Sequence, residues 1–546
     1  MLKLWSPLLL GGLFAQQVLS SASSPGAVIS SHEGVVDLGY AKYRGKRSNS
    51  DTWVFYGLPY AEPPLGDRRF RAPQALNITR VSTAYNGTIV DATRQPDFCV
   101  QDLGAGSEDC LKVNVYTPAN VKKGSKLPVL CYIHGGGWSY GVPTAWPFDH
   151  WVQQSPNVII VSVYYRLASL GFLATPEFYN STEGVFNAGL QDQFEALNWV
   201  QRNIGAFGGD PRRVTLNGES AGATSVLHFM APHINVEQRL FSKAIVQSGV
   251  RLHMGKADEM APSFQFYATQ AGCGEGDLKK KMKCLREAKL EALTKANKAL
   301  MLDPTSPGMI FTPVFEAPVF HPRNSVDFPR IPVIVGATTN DTVFDGDLVP
   351  SLKSAMPRLT ANEIQAIEEY YPPSAFESER HRTRNVLGEF MFFCSRVFIG
   401  KGYKNNSWTF RYNQQEPDSR WPQEPGQVGH ASDNYMMFNG SRTFDNGEYH
   451  FSGLNTTQTA FAQEIIAYWL SFVRSGDPNK FKLPRSPVWK PFRHGNARLV
   501  LQQGPDEDLA QSGLLHEREL KEERERCAFV GTIRPDTVGG ILGLID

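Results

Sequence analysis

Five short apolar segments constrain the fold of this chain more than any other feature. They read PVLCYI, NVIIVSVYY, RVTL, KAIVQSG and IPVIVGA, and segments with helical periodicity such as LQDQFEALNWVQRNI separate them. Runs that are apolar throughout are typical of strands buried on both faces, and helices between such strands indicate parallel neighbours. No linker, repeat or low-complexity block interrupts the chain after residue 22. We therefore predict a single α/β domain over residues 23–546, with a large, mainly parallel sheet flanked by helices.

The first 22 residues have the pattern of a secretory signal peptide. Lys3 precedes an apolar run over residues 8–14, and small residues follow around position 20. This run is too short to span a membrane, and no later segment is apolar over 18 residues. A formal net charge of +1 gives no indication of a nucleic-acid partner. We expect an exported, extracellular protein without a membrane span.

Glycosylation sequons and cysteines agree with export. The sequons expected to carry glycans are Asn77, Asn86, Asn180, Asn405, Asn439 and Asn455. In an oxidising compartment, Cys99 with Cys110 and Cys273 with Cys284 are predicted to close short polar loops. With seven cysteines at least one thiol stays free. Cys131 is expected to lie in a buried strand, and no His or Cys pair has the spacing of a metal site.

A serine between two glycines is the first candidate for chemistry. Residues 214–230 read VTLNGESAGATSVLHFM, in which Ser220 lies between Gly218 and Gly222. The apolar run before the serine and the helical spacing after it predict a strand, a tight turn and a helix. Such a turn lifts a serine hydroxyl above the end of a sheet, and glycines on both sides avoid collisions. A chance glycine-rich turn is the alternative, because a match to this short motif alone is weakly specific.

A glycine-rich segment, CYIHGGGWSYG, follows the first of the apolar runs. Acyl transfer to a serine develops negative charge on the carbonyl oxygen, which fixed backbone N–H groups can stabilise. The position of this loop after a buried strand suits the loop that supplies such donors to a nucleophilic serine. We therefore expect an oxyanion hole formed by the N–H groups of Gly136, Gly137 and Ala221. A flexible glycine loop without this role is the alternative.

Several longer stretches together resemble one known family. They are FYGLPYAEPPLGDRRFRAP, SEDCLKVNVYTP, PVLCYIHGGGWSYG, NAGLQDQFEALNWVQRNIGAFGGDPRRVTLNGESAGA and QVGHASDNYMMF. In this order, over about residues 35–440, the chain resembles the type B carboxylesterases, which include the cholinesterases and the large fungal lipases. The resemblance implies the α/β-hydrolase fold and a serine, acid, histidine triad in that order along the chain.

The resemblance also assigns the other two triad members. His430, in GHASDNYMMF, matches the histidine segment of the family and follows the predicted strand SWTFRY. Asp341 occupies the position at which the family usually has a glutamate, and Asp345 and Asp347 are nearby alternatives. An acid in this role orients the histidine and stabilises its cation. The histidine itself must take and return a proton, which requires a near-neutral pKa.

Four further expectations concern charged and polar residues. Asn340 begins a seventh sequon, and we predict that it is unmodified because Asp341 should be buried against His430. Glu219 matches a family glutamate that belongs to a buried polar network. Arg71 and Glu108 are expected to form a structural ion pair. Near the C-terminus, HERELKEERER predicts a charge-dense helix with a solvated face.

The loop between Cys99 and Cys110 narrows the substrate class. In the cholinesterases this loop holds a tryptophan that faces the quaternary ammonium group; here it reads VQDLGAGSED, without an aromatic residue. Ten residues are also too few for the long amphipathic lid of the large fungal lipases. We expect soluble esters with short to medium acyl chains or bulky alcohols. An apolar lining, or alternatively ordinary core, is offered by Trp138, Tyr140, Tyr435, Met436, Met437 and Phe438.

The leading interpretation is a secreted serine carboxylesterase that acts on a small-molecule ester through an acyl-enzyme and needs no cofactor. The same machinery could transfer or remove an acyl group in a secondary-metabolite pathway, because fold and triad do not fix the substrate. A non-catalytic, cholinesterase-like binding protein is the alternative from another class. A complete serine turn and glycine loop argue against it.

Overall fold

A computed structural model of the chain describes residues 34–533. Within this range it leaves out 123, 231–239, 251–254, 308–310, 315–330, 404–405, 418–426, 444–448 and 507. The predicted signal peptide over residues 1–22 and the sequon at Asn405 lie outside the described residues. Among the helices that are described, none is long and apolar enough to cross a membrane.

The regular elements alternate along the chain as the apolar pattern predicts. The strands are β1 (Val35–Asp37), β2 (Lys42–Arg44), β3 (Lys46–Asn49), β4 (Thr52–Pro59), β5 (Ile89–Asp91), β6 (Lys112–Pro118), β7 (Leu127–Ile133), β8 (Ile159–Val163), β9 (Gly209–Glu219), β10 (Lys243–Gln247), β11 (Val333–Thr338), β12 (Ser407–Tyr412), β13 (Ser441–Thr443), β14 (Tyr449–Phe451), β15 (Ala497–Leu501) and β16 (Leu515–Arg518). The α-helices are α1 (Ile78–Tyr85), α2 (Asp149–Gln154), α3 (Ala168–Phe172), α4 (Ala188–Asn203), α5 (Ala221–Phe229), α6 (Ala261–Gln270), α7 (Leu278–Glu287), α8 (Leu290–Leu302), α9 (Leu348–Ala355), α10 (Ala361–Tyr370), α11 (Glu379–Gly388), α12 (Cys394–Gly402), α13 (Ser432–Met437), α14 (Thr456–Ser475) and α15 (Lys521–Thr532).

An 11-stranded sheet forms the centre of the molecule, in the order β16-β15-β12-β11-β10-β9-β7-β8-β6-β4-β3. The five apolar runs of the sequence form β7 to β11, and these five strands are neighbours that all run parallel. The strands β12 and β15 continue the parallel part. Antiparallel strands close both edges of the sheet. The predicted α/β-hydrolase fold with a mainly parallel sheet is therefore confirmed, with antiparallel edges.

Helices cover both faces of this sheet, which explains why its central strands are apolar throughout. Alternate side chains of a strand point to opposite faces. In β7, Cys131 and Ile133 pack in the same core as residues of α4 and α5. Leu130 and Tyr132 pack on the other face, in the core that contains residues of α2 and α14. Cys131 is a buried free thiol, as expected.

The charge-dense segment near the C-terminus differs from its prediction. Its first residues form the edge strand β16, which pairs antiparallel with β15, and helix α15 begins only at Lys521. Several of its charged side chains also form ion pairs with residues elsewhere in the chain instead of facing solvent. Glu517 is bonded to Arg411 at 2.7 Å, and Glu523 to Arg498 at 2.9 Å. The periodicity of a short charged segment is a poor guide here because its ion-pair partners lie elsewhere in the chain.

Three disulfides link six of the seven cysteines. The pairs Cys99–Cys110 and Cys273–Cys284 are those that the sequence predicts. A third, Cys394–Cys527, spans 133 residues and ties α12 to α15. One ion pair is corrected: Glu108 bonds to Arg69 at 2.6 Å, not to Arg71. The Arg71 guanidinium lies 3.8 Å from Glu183 instead.

Candidate active site

Ser220 lies in the sharp turn between β9 and α5. Its backbone adopts φ 55° and ψ −126°, which residues with side chains rarely do. A Cβ on Gly218 would lie 2.4 Å from the backbone of Gly222, and a Cβ on Gly222 would lie 2.1 Å from the carbonyl of Ile133. Both flanking positions therefore require glycine. The Ser220 N–H donates to the carbonyl of Gln247 at 2.9 Å, which ties the turn to the end of β10.

The two residues expected to act with this serine reach it from two other loops. The His430 imidazole Nε2 lies 2.8 Å from the Ser220 Oγ. The imidazole Nδ1 lies 2.6 Å from the Asp341 Oδ1. All three side chains are buried. The three predicted residues thus form one continuous line of hydrogen bonds.

The two alternative acids, Asp345 and Asp347, have other surroundings than His430. Asp345 forms an ion pair with Arg380 at 2.6 Å and lies 3.4 Å from Arg384. Asp347 is exposed and precedes helix α9. Of the three candidate aspartates, Asp341 is the one that contacts His430.

Two residues that no sequence motif indicated hold Asp341 in place. Its Oδ2 accepts hydrogen bonds from the Ser248 hydroxyl at 2.6 Å and from the Thr338 N–H at 3.1 Å. Ser248 follows β10 and has a φ of 51°, so its backbone is strained like that of Ser220. Its position directly after an apolar run, at the same sheet edge as Ser220, is the signal from which it could have been found.

Asn340 joins the acid loop to the histidine loop. Its N–H donates to the carbonyl of Val428 at 2.9 Å, and its side-chain Oδ1 accepts the Val428 N–H at 3.0 Å. Val428 precedes His430 by two residues, so these bonds fix the loop that carries the imidazole. Asn340 is only half-buried, and an unmodified sequon there stays a prediction. The other sequon asparagines within the described residues are exposed: Asn77, Asn86, Asn180, Asn439 and Asn455.

The glycine loop after β7 lies beside the serine turn. Gly136 and Gly137 have φ of 102° and 61°, and the Gly136 carbonyl accepts the N–H groups of Ser139 and Tyr140, both at 3.0 Å. Within the described part of the chain, the N–H groups of Gly136, Gly137 and Ala221 donate to no protein acceptor. They are free to bind an oxyanion, and Ala221 adds the positive N-terminal end of helix α5.

Comparisons with known proteins decide the family. The model described as "Carboxylesterase family" matches residues 32–529. The chain belongs to the carboxylesterase family. It is 30% identical to Carboxylesterase 1F of Mus musculus, over 83% of this chain and 88% of the relative. It is 29% identical to Cocaine esterase of Homo sapiens, over 81% of this chain and 83% of that protein.

A solved structure supports the assignment to this family. The crystal structure of Aspergillus niger EstA superposes on the chain with a TM-score of 0.78 and 28% sequence identity. The match covers 91% of this chain and 98% of that one. Family, relatives and fold identify a carboxylic ester hydrolase.

Buried carboxyl groups surround the imidazole of this carboxylesterase. Burial lowers the pKa of His430, but the charge and hydrogen bond of Asp341, followed by the charges of Glu219 and Asp433, raise it to about 9, above the near-neutral pKa that the sequence argument expects. Burial raises the pKa of the Glu219 carboxyl to about 8, and that of Asp433 to about 6. The Glu219 Oε1 lies 3.6 Å from the imidazole Nε2. Glu219 therefore contacts the imidazole from within the buried polar network that the resemblance implies.

This arrangement predicts the pH dependence of hydrolysis. A general base must be neutral, so kcat/KM should fall as the pH falls, with an apparent pKa above the ordinary 6.5 of histidine. Above its pKa of about 8 the Glu219 carboxyl is ionised and its charge favours the imidazolium; Glu219→Gln removes that charge, and the acid limb should move to lower pH. Profiles of kcat/KM on a soluble ester test this. Glu464→Gln is the matched control, because Glu464 is equally buried, at 2%, but pairs with Arg485. An unmoved or raised limb in Glu219→Gln contradicts the prediction.

A partly open cleft with a cavity volume of about 80 Å³ leads to the serine. It is lined by Gly136, Tyr140, Trp146, Glu219, Ser220, Glu416, His430, Ala431, Asn434, Ser441 and Arg442. Tyr140 was expected in this lining, whereas Trp146 was not. Glu416 and Arg442 bring one charge of each sign, so the cleft is more polar than the sequence predicts. In the part of the chain that is described, no cluster of three or more His, Cys, Asp or Glu could hold a metal ion.

The five other candidate lining residues are buried in the core, which is the alternative that the sequence left open: Trp138, Tyr435, Met436, Met437 and Phe438. Trp138 is fully buried, and its indole N–H donates to the Ser225 Oγ at 3.2 Å. Met437 and Phe438 are also buried, and the Phe438 ring stacks on that of Trp151 at a centroid distance of 5.9 Å. Aromatic and sulfur side chains next to a catalytic motif can serve either role, and their sequence positions do not distinguish the two.

Proposed function

We propose that this protein is a serine carboxylesterase in which Ser220 is the nucleophile, His430 the proton carrier and Asp341 the acid. The line of hydrogen bonds from Asp341 through His430 to Ser220 is the observation that supports these roles most strongly. Ser220 attacks the ester carbonyl while His430 takes its proton and then returns it to the leaving alcohol. Asp341 keeps Nδ1 protonated and stabilises the imidazolium.

The second half of the cycle uses the same groups. His430 removes a proton from water as the water oxygen attacks the acyl-enzyme, and it returns that proton to the Ser220 Oγ as the carboxylic acid leaves. In both halves the carbonyl oxygen becomes an oxyanion that accepts hydrogen bonds from the N–H groups of Gly136, Gly137 and Ala221. These steps require no metal or organic cofactor.

The substrate class follows from the loop that Cys99 and Cys110 close. This loop contains no helix and no aromatic residue, and its residues Gln101 and Asp102 are buried against the protein. It cannot act as an amphipathic lid or as a cation-binding aromatic wall. We therefore assign soluble esters with short to medium acyl chains or bulky alcohols as substrates.

We further propose that the protein is secreted as a glycoprotein. Three features support this: the signal pattern of residues 1–22, the three disulfides and the exposed sequons.

A panel of p-nitrophenyl esters from acetate to palmitate, with acetylthiocholine, tests this function. We expect kcat/KM to be highest for short to medium acyl chains and lowest for the choline ester. Rates should saturate smoothly as a substrate passes its solubility limit, because the loop that Cys99 and Cys110 close cannot act as a lid that opens at a lipid surface. A sharp rise in rate at that limit, or a preference for acetylthiocholine, contradicts the proposed substrate class.

A further inference from the structure

The loop closed by Cys99 and Cys110 lies against the glycine loop. Gly106 shows how tightly it is folded, since a Cβ there would lie 2.6 Å from the carbonyl of Cys99. The loop is also closed by a hydrogen bond from the Gln101 N–H to the carbonyl of Ala105, at 2.8 Å. Together with the disulfide, these contacts make it a rigid unit that can support a neighbour.

Gln101 connects this unit to the glycine loop. Its side chain is fully buried, and its Oε1 accepts the Gly141 N–H at 2.6 Å. Its Nε2 donates to the carbonyls of Cys99 at 2.6 Å and of Gly141 at 3.3 Å. The amide side chain thus pairs with both backbone groups of one residue, as an adjacent strand would. A second bond runs between the loops, from the Asp102 N–H to the carbonyl of Ser139, at 3.0 Å.

These contacts extend to the oxyanion site through the backbone. Gln101 and Asp102 fix Gly141 and Ser139, and the N–H groups of Ser139 and Tyr140 both donate to the carbonyl of Gly136. That carbonyl belongs to the same planar peptide unit as the N–H of Gly137. Bonds that fix the direction of the carbonyl therefore fix the direction in which the Gly137 N–H points.

We propose that Gln101 is a positioning residue for the oxyanion hole, and that the disulfide loop serves as its rigid support. This inference rests on the proposed function, in which Gly136 and Gly137 donate to the oxyanion. Gln101 touches neither substrate nor reacting atoms in this role. It acts through Gly141 and the bonds that meet at Gly136.

The role predicts an effect on the transition state and little effect on substrate binding. An oxyanion forms only after Ser220 attacks, so misdirected donors weaken the transition state more than the ground state. Gln101→Met keeps the volume of the side chain but removes every hydrogen bond that it makes. We expect kcat per active site to fall by about 10- to 100-fold, since losing a whole donor costs about 100- to 1000-fold. KM should change by less than about threefold.

The test compares Gln101→Met with wild type, Leu103→Ala and Ser220→Ala. Leu103 is 37% exposed in the same loop, and its replacement should leave kcat unchanged. For the variants that keep Ser220, rates are divided by the number of sites counted in a p-nitrophenol burst, so that misfolded protein is excluded. Gln101→Glu is a second variant for the case in which Gln101→Met folds poorly. It keeps an acceptor for the Gly141 N–H, so its rate per site should be higher than that of Gln101→Met.

A trifluoromethyl ketone gives a readout that a general loss of stability would not change. Ser220 Oγ adds to its carbonyl carbon, the serine proton passes to His430, and the carbonyl electrons become an oxyanion in the hole. The inhibition constant should rise in Gln101→Met by the same factor by which kcat/KM falls.

The outcomes separate this inference from the function on which it rests. The positioning role is wrong if the kcat per site of Gln101→Met stays within twofold of the wild-type value. It is also wrong if KM rises and kcat does not change. The same holds if the ketone binds as tightly as it does to wild type. If Ser220→Ala hydrolyses esters at a rate close to that of wild type, the proposed nucleophile itself is wrong, whatever Gln101→Met does.

Discussion

Replacing Ser220 with alanine is expected to lower kcat on p-nitrophenyl esters by about 10⁶-fold, as loss of a triad serine does elsewhere. The variant keeps the oxyanion donors and His430 but has no oxygen to form the acyl-enzyme. A residual acceleration of about 10³- to 10⁴-fold over water should remain, because those donors still stabilise attack by water. Initial rates with purified wild type and Ser220→Ala, at matched folded concentration, measure the loss.

Ser248→Ala is the control for this experiment and should lose much less activity than Ser220→Ala. Ser248 is also a buried serine at the carboxyl end of a central strand, but it bonds to Asp341 and not to the imidazole. Its loss removes one of the bonds that hold the acid, so we expect a decrease of only about tenfold, the usual scale of one hydrogen bond. Comparable losses in the two variants would contradict Ser220 as the nucleophile.

Replacing Asp341 with asparagine is expected to lower kcat by about 10⁴-fold, the size of this change in a serine protease triad. Asparagine fills the same space, and its amide can donate to Nδ1 of His430. That bond favours the tautomer with the proton on Nε2, which cannot accept a proton from Ser220. Rates across a range of pH measure the loss and show that it persists where the imidazole is neutral.

Asp345→Asn is the matched control for the acid. Asp345 lies four residues further along and pairs with Arg380 at the surface, so its replacement should change kcat by less than twofold. A large loss in Asp345→Asn, together with a small one in Asp341→Asn, would reverse the assignment. Equal and modest losses in both would indicate that neither acid orients His430.

The central fold could be predicted because its signals are local. Each of β7 to β11 is a continuous apolar run, and the turn at Ser220 needs glycines within two residues of it. The link between His430 and Asp341 is not local, since 89 residues separate them. It came from the family resemblance, and periodicity or spacing alone would not have produced it.

The features that were missed depend on tertiary contacts between distant segments. Cys394 and Cys527 have no local spacing signal, and the strand β16 is defined by its pairing with β15. Gln101 could not be found for the same reason. Its sequence neighbours describe a short polar loop, whereas its role depends on Gly141, 40 residues away.

Labelling with a fluorophosphonate tests the central claim most directly, because the reagent phosphonylates an activated serine and stays bound. After digestion, mass spectrometry should locate a single adduct per chain on Ser220, and esterase activity should disappear in proportion to its formation. Ser220→Ala should acquire no adduct. Full labelling at another residue, or activity that survives complete modification of Ser220, would contradict the account.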